Sequence, residues 1–186
     1  MKKNLIIAIL MTVVTTILLG IVYPLVVTGI AQVLMPDKAN GQLLHANGEL
    51  IGSRIIGQPF SGAKYFHSRP SAAGNGYDAA NSGGTNLGPT NSALISRIDQ
   101  DVAALQAENP GVPVPVDLVT TSASGLDPEI SIAAAEFQVP RIARERHLTE
   151  DAVRQLVRQH TATRQLGFLG EPRVNVLELN LALDAK

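Results

Sequence analysis

The glycine-rich stretch Gly83-Gly84-Thr85-Asn86-Leu87-Gly88-Pro89-Thr90 is the first place in this 186-residue sequence to look for phosphate chemistry. A Walker A loop needs a lysine just before its closing hydroxyl residue to reach the phosphates, and Pro89 stands there instead. A Walker loop is excluded. The four histidines, His45, His67, His147 and His160, have no paired spacing that would let two of them share a metal ion. Each reads as a surface or packed histidine. Serines are plentiful, but none sits in a Gly-x-Ser-x-Gly elbow. The stretch from Ser122 to Ser131 with Asp127 could offer a nucleophile and an acid. A helix start accounts for the same residues, with Asp127 as cap, Pro128 at the first position and Glu129 adding favourable charge. With no cysteine, the chain has no disulfide, thiolate chemistry or cysteine-ligated metal.

Two other clusters suit recognition better than reaction. Gln58 to Pro70 concentrates Phe60, Tyr65, Phe66, His67 and Arg69 in a chain with 4 Phe, 3 Tyr and no Trp. Rings beside a guanidinium make strong contact anchors and equally well fill a packed strand. Tyr65, Phe66, His67 and Arg69 are therefore candidate partner contacts, with the packed strand as the competing reading. Six arginines between Arg141 and Arg164 are interleaved with Glu145, Glu150 and Asp151. Such mixing describes a solvated helical face better than a nucleic-acid groove, and it leaves open a docking surface for an acidic partner. The formal net charge of −1 becomes more acidic once Lys2 and Lys3 are set apart, so the remainder has no general attraction for nucleic acid or anionic lipid.

These side chains need a scaffold, and the scaffold begins with an anchor. Leu5 to Met35 carries no ionisable side chain other than Tyr23 and makes a helix of roughly 46 Å, against a hydrocarbon core of about 30 Å. A cleaved signal with Gly29-Ile30-Ala31 as its site is the competing reading, but a signal's apolar region runs only about 7–15 residues. Residues 1–35 are read as a cytoplasmic tip and a retained transmembrane helix. Lys2 and Lys3 hold the N-terminus in the cytoplasm and leave residues 36–186 outside. Ala8, Thr12, Thr16, Gly20, Pro24 and Thr28 recur at every fourth position. Small and hydroxyl-bearing residues let a neighbouring helix approach, which makes Ala8, Thr12, Thr16 and Gly20 the expected packing ridge in the membrane. Each four-residue step turns about 40° beyond a full circle, so the ridge winds. Pro24 predicts a kink near the outer interface.

The outer part is expected to be a single mixed domain, making the chain α+β with one transmembrane helix. A hairpin is predicted over residues 42–57, turning at Asn47-Gly48 and extended by Ile55-Ile56. Residues 71–90, rich in Gly, Asn and Ser, form a long polar loop of the kind that is functional or disordered. Ser92 to Glu108 is helical, with Leu94, Ile98, Val102 and Leu105 on one face. A β segment with an edge position is predicted from Val112 to Thr121. A helix follows from Asp127, halted or restarted by Pro140, and Thr149 caps another that carries Val153, Leu156, Val157 and His160. Arg173 to Leu183 fits a strand or a short helix.

In this order the segments resemble one family over nearly the whole chain. The matching motifs are Ile55-Ile56-Gly57-Gln58, Tyr65-Phe66-His67-Ser68-Arg69-Pro70-Ser71-Ala72, Ser82-Gly83-Gly84-Thr85-Asn86-Leu87, Leu118 through Asp127, and Val174 through Asp184, after a span ending near Val22-Tyr23-Pro24-Leu25. The family is the C subunit of the Kdp-type high-affinity potassium-transporting ATPase, a bacterial P-type pump complex; Thr85 stands where the family often has Ser. The resemblance implies an accessory subunit in the inner membrane with no catalytic residues and no cofactor of its own. ATP and potassium would be handled by its partners, an ATP-hydrolysing subunit and a channel-like potassium-binding subunit. The family is often described as a catalytic chaperone that raises nucleotide affinity. A cover over the potassium entrance is the alternative that fits an outer domain. Apart from the resemblance, a stand-alone membrane-tethered periplasmic binding or hydrolytic domain remains open.

Overall fold

The computed structural model describes residues 1–46 and 48–185, and it divides into two compact units, Met1–Ile51 and Gly52–Lys186. Among the described residues one helix, Lys2–Leu34, is long and apolar enough to cross a membrane. It consists of α1 (Lys2–Thr15), a π-helical turn (Thr16–Val22) and α2 (Tyr23–Leu34). Within α1 the hydroxyls of Thr12 and Thr15 donate to the carbonyls of Ala8 and Met11, at 2.9 and 2.8 Å. Pro24 has no N–H to give, and its ring would crowd the carbonyl four residues back. The chain answers with a wider turn, in which the Tyr23 N–H reaches the Leu18 carbonyl five residues away. The irregularity expected from Pro24 thus takes the form of a π segment on its N-terminal side.

The same unit continues into α3 (Pro36–Ala39), β1 (Leu43–Ala46) and the start of β2 (Glu49–Ser53), which pairs with β1. The side-chain amides of Gln32 and Asn40 bond each other reciprocally, at 3.1 and 3.2 Å, across the junction between α2 and α3. Backbone bonds from Gly41 to Lys38 and from Gln42 to Asp37 carry this order up to the first strand. Of the expected Asn47-Gly48 turn, Asn47 lies outside the described residues. The second strand is shorter than predicted. Ile55-Ile56 do not extend it, because the Ile56 N–H turns back to Ser53 and the Gly57 N–H goes to the Leu126 carbonyl.

The second unit mixes helices with a three-stranded antiparallel sheet of order β3-β5-β4, made of β3 (Glu129–Ser131), β4 (Thr161–Ala162) and β5 (Arg173–Asn175). Ile130 faces Val174 in the register of β3 and β5, and Thr161 faces Val174 from the other side. The outer edge of β3 is occupied by carboxylates. Asp127 accepts from the Glu129 N–H at 3.0 Å and Asp117 from the Ser131 N–H at 2.7 Å. Helices α4 (Ser92–Glu108), α5 (Ile132–Arg146), α6 (Glu150–Gln159) and α7 (Val176–Asp184) complete the unit. The core gathers Phe66, Ile130, Phe137, Ile142, Val153, Val174 and Leu179 around the sheet and the inner faces of α5, α6 and α7.

Local chemistry sets most boundaries. Asn91, Ser131, Thr149 and Asn175 each accept an N–H in the first turn of the helix they precede, so α4 and α6 stand where the sequence predicts them. Three further predictions need correction. Val112 to Thr121 is not a strand but an irregular run with a 3₁₀ turn at Val116–Leu118, because Pro113 and Pro115 remove two donors and the Thr120 hydroxyl closes on the Val116 carbonyl. The helix does not begin at Asp127. That carboxylate is taken by Glu129 N–H and Arg69, β3 intervenes, and Ser131 caps α5. Pro140 does not interrupt α5, since Phe137, Val139, Ile142 and Ala143 are buried on both sides of it and hold the chain helical. The open choice at residues 173–184 resolves into both forms, a three-residue strand followed by α7.

The polar loop at 71–90 is pinned to residues 122–127. Gly83 N–H and the Ser82 hydroxyl both donate to the Ser124 carbonyl at 2.9 Å, and the Ser71 hydroxyl donates to the Gly125 carbonyl at 2.6 Å. Gly125 has φ +67°, and a Cβ there would stand 2.6 Å from the Gly83 oxygen and 2.7 Å from the Ala73 nitrogen. At Gly111, with φ +79°, a Cβ would meet nothing within 4 Å. Gly111→Ala should therefore cost only the backbone strain of about 1–2 kcal/mol. Gly125→Ala should cost at least about 2 kcal/mol more, by forcing the loop off its seat. Denaturant titration of the two variants of the full chain in detergent separates these outcomes.

Candidate functional site

The expected contact segment from Tyr65 to Arg69 is neither strand nor helix, and its backbone is held almost entirely by side chains from elsewhere. Asn180, near the middle of α7, accepts from the Phe66 N–H at 2.8 Å and donates to the Phe66 carbonyl at 2.9 Å. Gln138, on α5, does the same for the next residue, accepting from the His67 N–H at 2.7 Å and donating to its carbonyl at 3.1 Å. The Arg141 guanidinium lies one turn further along α5. It donates to the Ala63 and Tyr65 carbonyls and to the Gln138 oxygen, and its Nε pairs with Glu108 on α4. Asn180 and Gln138 are 1% and 2% exposed, so each amide works as a buried two-point bracket where a neighbouring strand would otherwise be needed.

The four residues singled out by sequence have different surroundings. The Phe66 ring is fully buried in the core. Tyr65 is half-buried, its hydroxyl 3.0 Å from Asp184, its ring 5.5 Å from Phe60 and 5.0 Å from the Arg146 guanidinium. His67 is half-buried with Nε2 at 3.1 Å from the Gly62 carbonyl, and burial, then the nearby Arg141 charge, pushes its pKa below the ordinary value. Arg69 spans to the other wall, reaching Asp127 at 3.1 Å and the carbonyls of Thr120 and Thr121 at 3.3 and 3.4 Å. Its own carbonyl receives the Tyr77 hydroxyl. Burial lowers the Arg141 pKa, and Glu108 opposes the shift. Sequence reasoning missed Asn180, Gln138 and Arg141. A visible signal existed in Asn180, a lone amide among Leu177, Leu179, Leu181 and Leu183.

Two clefts flank this segment. The larger, of about 550 Å³, lies between Arg69, Val116, Thr120, Ile130 and Arg173. Its carboxylates are already engaged, Asp127 by Arg69, Asp117 by the backbone and hydroxyl of Ser131, and Glu129 by Arg173 at 2.6 Å. The smaller, of about 280 Å³, is lined by His67, Ser68, Tyr77, Asp101 and Glu108. Among the described residues no group of three His, Cys, Asp or Glu side chains could hold a metal ion. Of the arginine run, Arg146 pairs with Asp184, Arg154 with Glu136 and Glu150, and Arg164 with Glu171, while Arg141 is buried instead of solvated.

Asn180→Leu should leave the Phe66 N–H and carbonyl buried without partners, at a cost of about 2–4 kcal/mol in denaturant titration of the full chain in detergent. Asn180→Asp should cost at least as much at neutral pH, because it would bury a carboxylate against the Phe66 carbonyl. The depressed His67 pKa gives a sign as well. The folded chain keeps His67 neutral below the pH at which the unfolded chain protonates it, so this contribution is complete above the ordinary value of 6.5 and lost as pH falls through it. Between pH 7.5 and 5.5 the parent should lose more stability than His67→Gln.

The family described as K+-transporting ATPase, c chain, matches residues 5–185. A potassium-transporting ATPase KdpC subunit from Koribacter versatilis is 71% identical over 184 residues, covering 99% of this chain and 95% of the relative. The KdpC subunit from Acidobacterium capsulatum is 60% identical over 177 residues, 95% of each chain. The one from Caulobacter vibrioides strain NA1000 is 56% identical over 172 residues, covering 92% of this chain and 87% of the relative. Identity at this level leaves no segment of the span or of the folded unit outside the match, and the chain belongs to the KdpC family, the c chain of the K+-transporting ATPase.

Proposed function

We propose that this chain is a non-catalytic accessory subunit of an ATP-driven potassium import complex, needed for its assembly and stability. Its N-terminal helix crosses the bacterial inner membrane, the N-terminus is cytoplasmic, and the folded unit is periplasmic. The observation that carries the reading is how the folded unit uses its polar groups. The carboxylates of the larger cleft, Arg69, Arg141 and the amides of Asn180 and Gln138 are all committed to holding its own backbone and each other. A site so spent on architecture suits a shaped docking body better than a reaction. Its partners in this reading are a channel-like potassium-binding subunit and an ATP-hydrolysing subunit, and the folded unit covers the potassium entrance.

Ala8, Thr12, Thr16 and Gly20 fasten it in the bilayer. Two features support that ridge. A Cβ on Gly20 would meet the Thr16 methyl at 3.8 Å, which places the two residues side by side on one face. In addition, a π turn advances less angle per residue than an α turn, so Thr16–Val22 offsets part of the winding that an α-helical ridge accumulates. The chaperone description places ATP on the opposite side of the membrane from nearly all of this chain. The 550 Å³ cleft is the one observation that favours a stand-alone binding domain instead.

Replacing Thr12, Thr16 and Gly20 together with Leu should release the chain from the detergent-solubilised complex; undiminished copurification with the other subunits would count against the ridge. A periplasm-dependent reporter fused after Lys186 should be active, and activity only in the cytosol would reverse the topology. The Tm of the full chain in detergent should stay flat across millimolar ATP, because direct binding would raise it by mass action.

A further inference from the structure

Beyond the short pairing of β4 with β5, the residues that join the two strands close into a tight hairpin that turns its apolar side chains outward. Leu166, Phe168 and Leu169 are 82%, 70% and 47% exposed. The turn holds Leu166 at φ +53° and Gly167 at φ +83°, a pair of left-handed residues that hairpins ordinarily make with Asn-Gly or Asp-Gly. A bulky leucine there is unfavourable both for turning and for solubility. The hairpin is nevertheless firmly built, because Gln165 and Leu169 exchange two backbone hydrogen bonds of 2.9 Å, and the N–H groups of Gly167 and Phe168 go to the Arg164 and Gln165 carbonyls at 3.2 Å. Arg164 and Glu171 pair across its base at 2.6 Å.

Two properties of this tip select what it touches. The backbone donors of Gln165, Gly167, Phe168 and Leu169 are satisfied within the hairpin, and the ion pair at its base closes on itself. A protein groove rewards free polar groups around an apolar anchor, whereas lipid demands that such groups be satisfied internally. The other property is the tether. Residues 35–51 are all that separate the span from the folded unit, at most roughly 60 Å of chain when fully extended, and α3, β1 and β2 shorten it. A bilayer therefore stays within reach, and a contact too weak to hold a free protein suffices for a tethered one. We infer that Leu166, Phe168 and Leu169 dip into the boundary between headgroups and acyl chains of the bilayer that holds the span, as a second, shallow and reversible membrane contact. With Arg164 neutralised by Glu171, this contact needs no anionic lipid. The inference rests on the reading of Lys2–Leu34 as a span, but not on which way the span points.

Because the chain has no tryptophan, single tryptophans report on this directly. Phe168→Trp and, within the span, Leu10→Trp are made in the full chain and placed in nanodiscs of zwitterionic phosphatidylcholine, with or without bromine on the upper acyl chain. Bromine should quench emission from position 168 at least twofold, and emission from position 10 as well. Adding Leu166→Asn to Phe168→Trp suits the turn, so the fold should survive while the quenching at 168 falls at least by half. Unquenched emission at 168 with position 10 quenched overturns the inference and leaves the span standing, whether the emission is red-shifted by water or blue-shifted by protein. Quenching at neither position overturns the span and this inference together. Quenching undiminished by Leu166→Asn removes the tip from the contact and overturns the inference as well. In the purified complex in the same discs the quenching should persist; its loss on assembly gives the tip to another subunit and overturns the bilayer as its occupant.

Discussion

A backbone that is extended, buried and without a neighbouring strand has to find donors and acceptors somewhere, and the second unit depends on how this is solved at Phe66 and His67. Two amide side chains, Asn180 and Gln138, each close a pair of hydrogen bonds onto one residue, reproducing what a strand's edge would provide. Because the brackets come from different helices, seating the segment also fixes α5 against α7. Arg141 extends the arrangement to Glu108 on α4, and Arg69 extends it to the segment around Asp127. The Phe66 ring can then enter the core without leaving an unsatisfied peptide behind it. Polar side chains here do the work that a sheet does elsewhere, which explains how a unit with only a small three-stranded sheet keeps long irregular stretches in place.

The first unit answers to a different solvent. Apolar residues all around the helix carry no information about which face is inside, since in lipid no face needs to be. Order in this unit comes from internally satisfied backbone, from threonine hydroxyls folded onto their own helix, and from a widened turn that relieves the proline. At the end of α2 its order rests on one reciprocal amide pair and a short helical turn.

What could be read from the chain divides along the same physical line. The helix over Ser92–Glu108, its half-buried stripe and the Thr149 cap of the next helix were legible, because caps and periodicity act within a few residues. The family resemblance was legible from ordered motifs. The bracketing of Phe66 and His67 was not, because the side chains responsible lie 114 and 71 residues away. Asp127 shows the same limit. Its local context reads as a helix cap, and a guanidinium 58 residues upstream claims it instead. Prolines misled in both directions. At 113 and 115 they abolished a strand that alternation suggested, and at 140 burial on either side overrode the break that a proline predicts.

The carboxylates along β3 have a consequence for how the folded unit can be recognised. With Asp127 and Asp117 occupying the outward N–H groups of Glu129 and Ser131, this border of the sheet offers no free donors at those two residues to an incoming chain. A chain approaching this border would have to grip side chains and surface relief, because extending the sheet by another strand is blocked at these two residues.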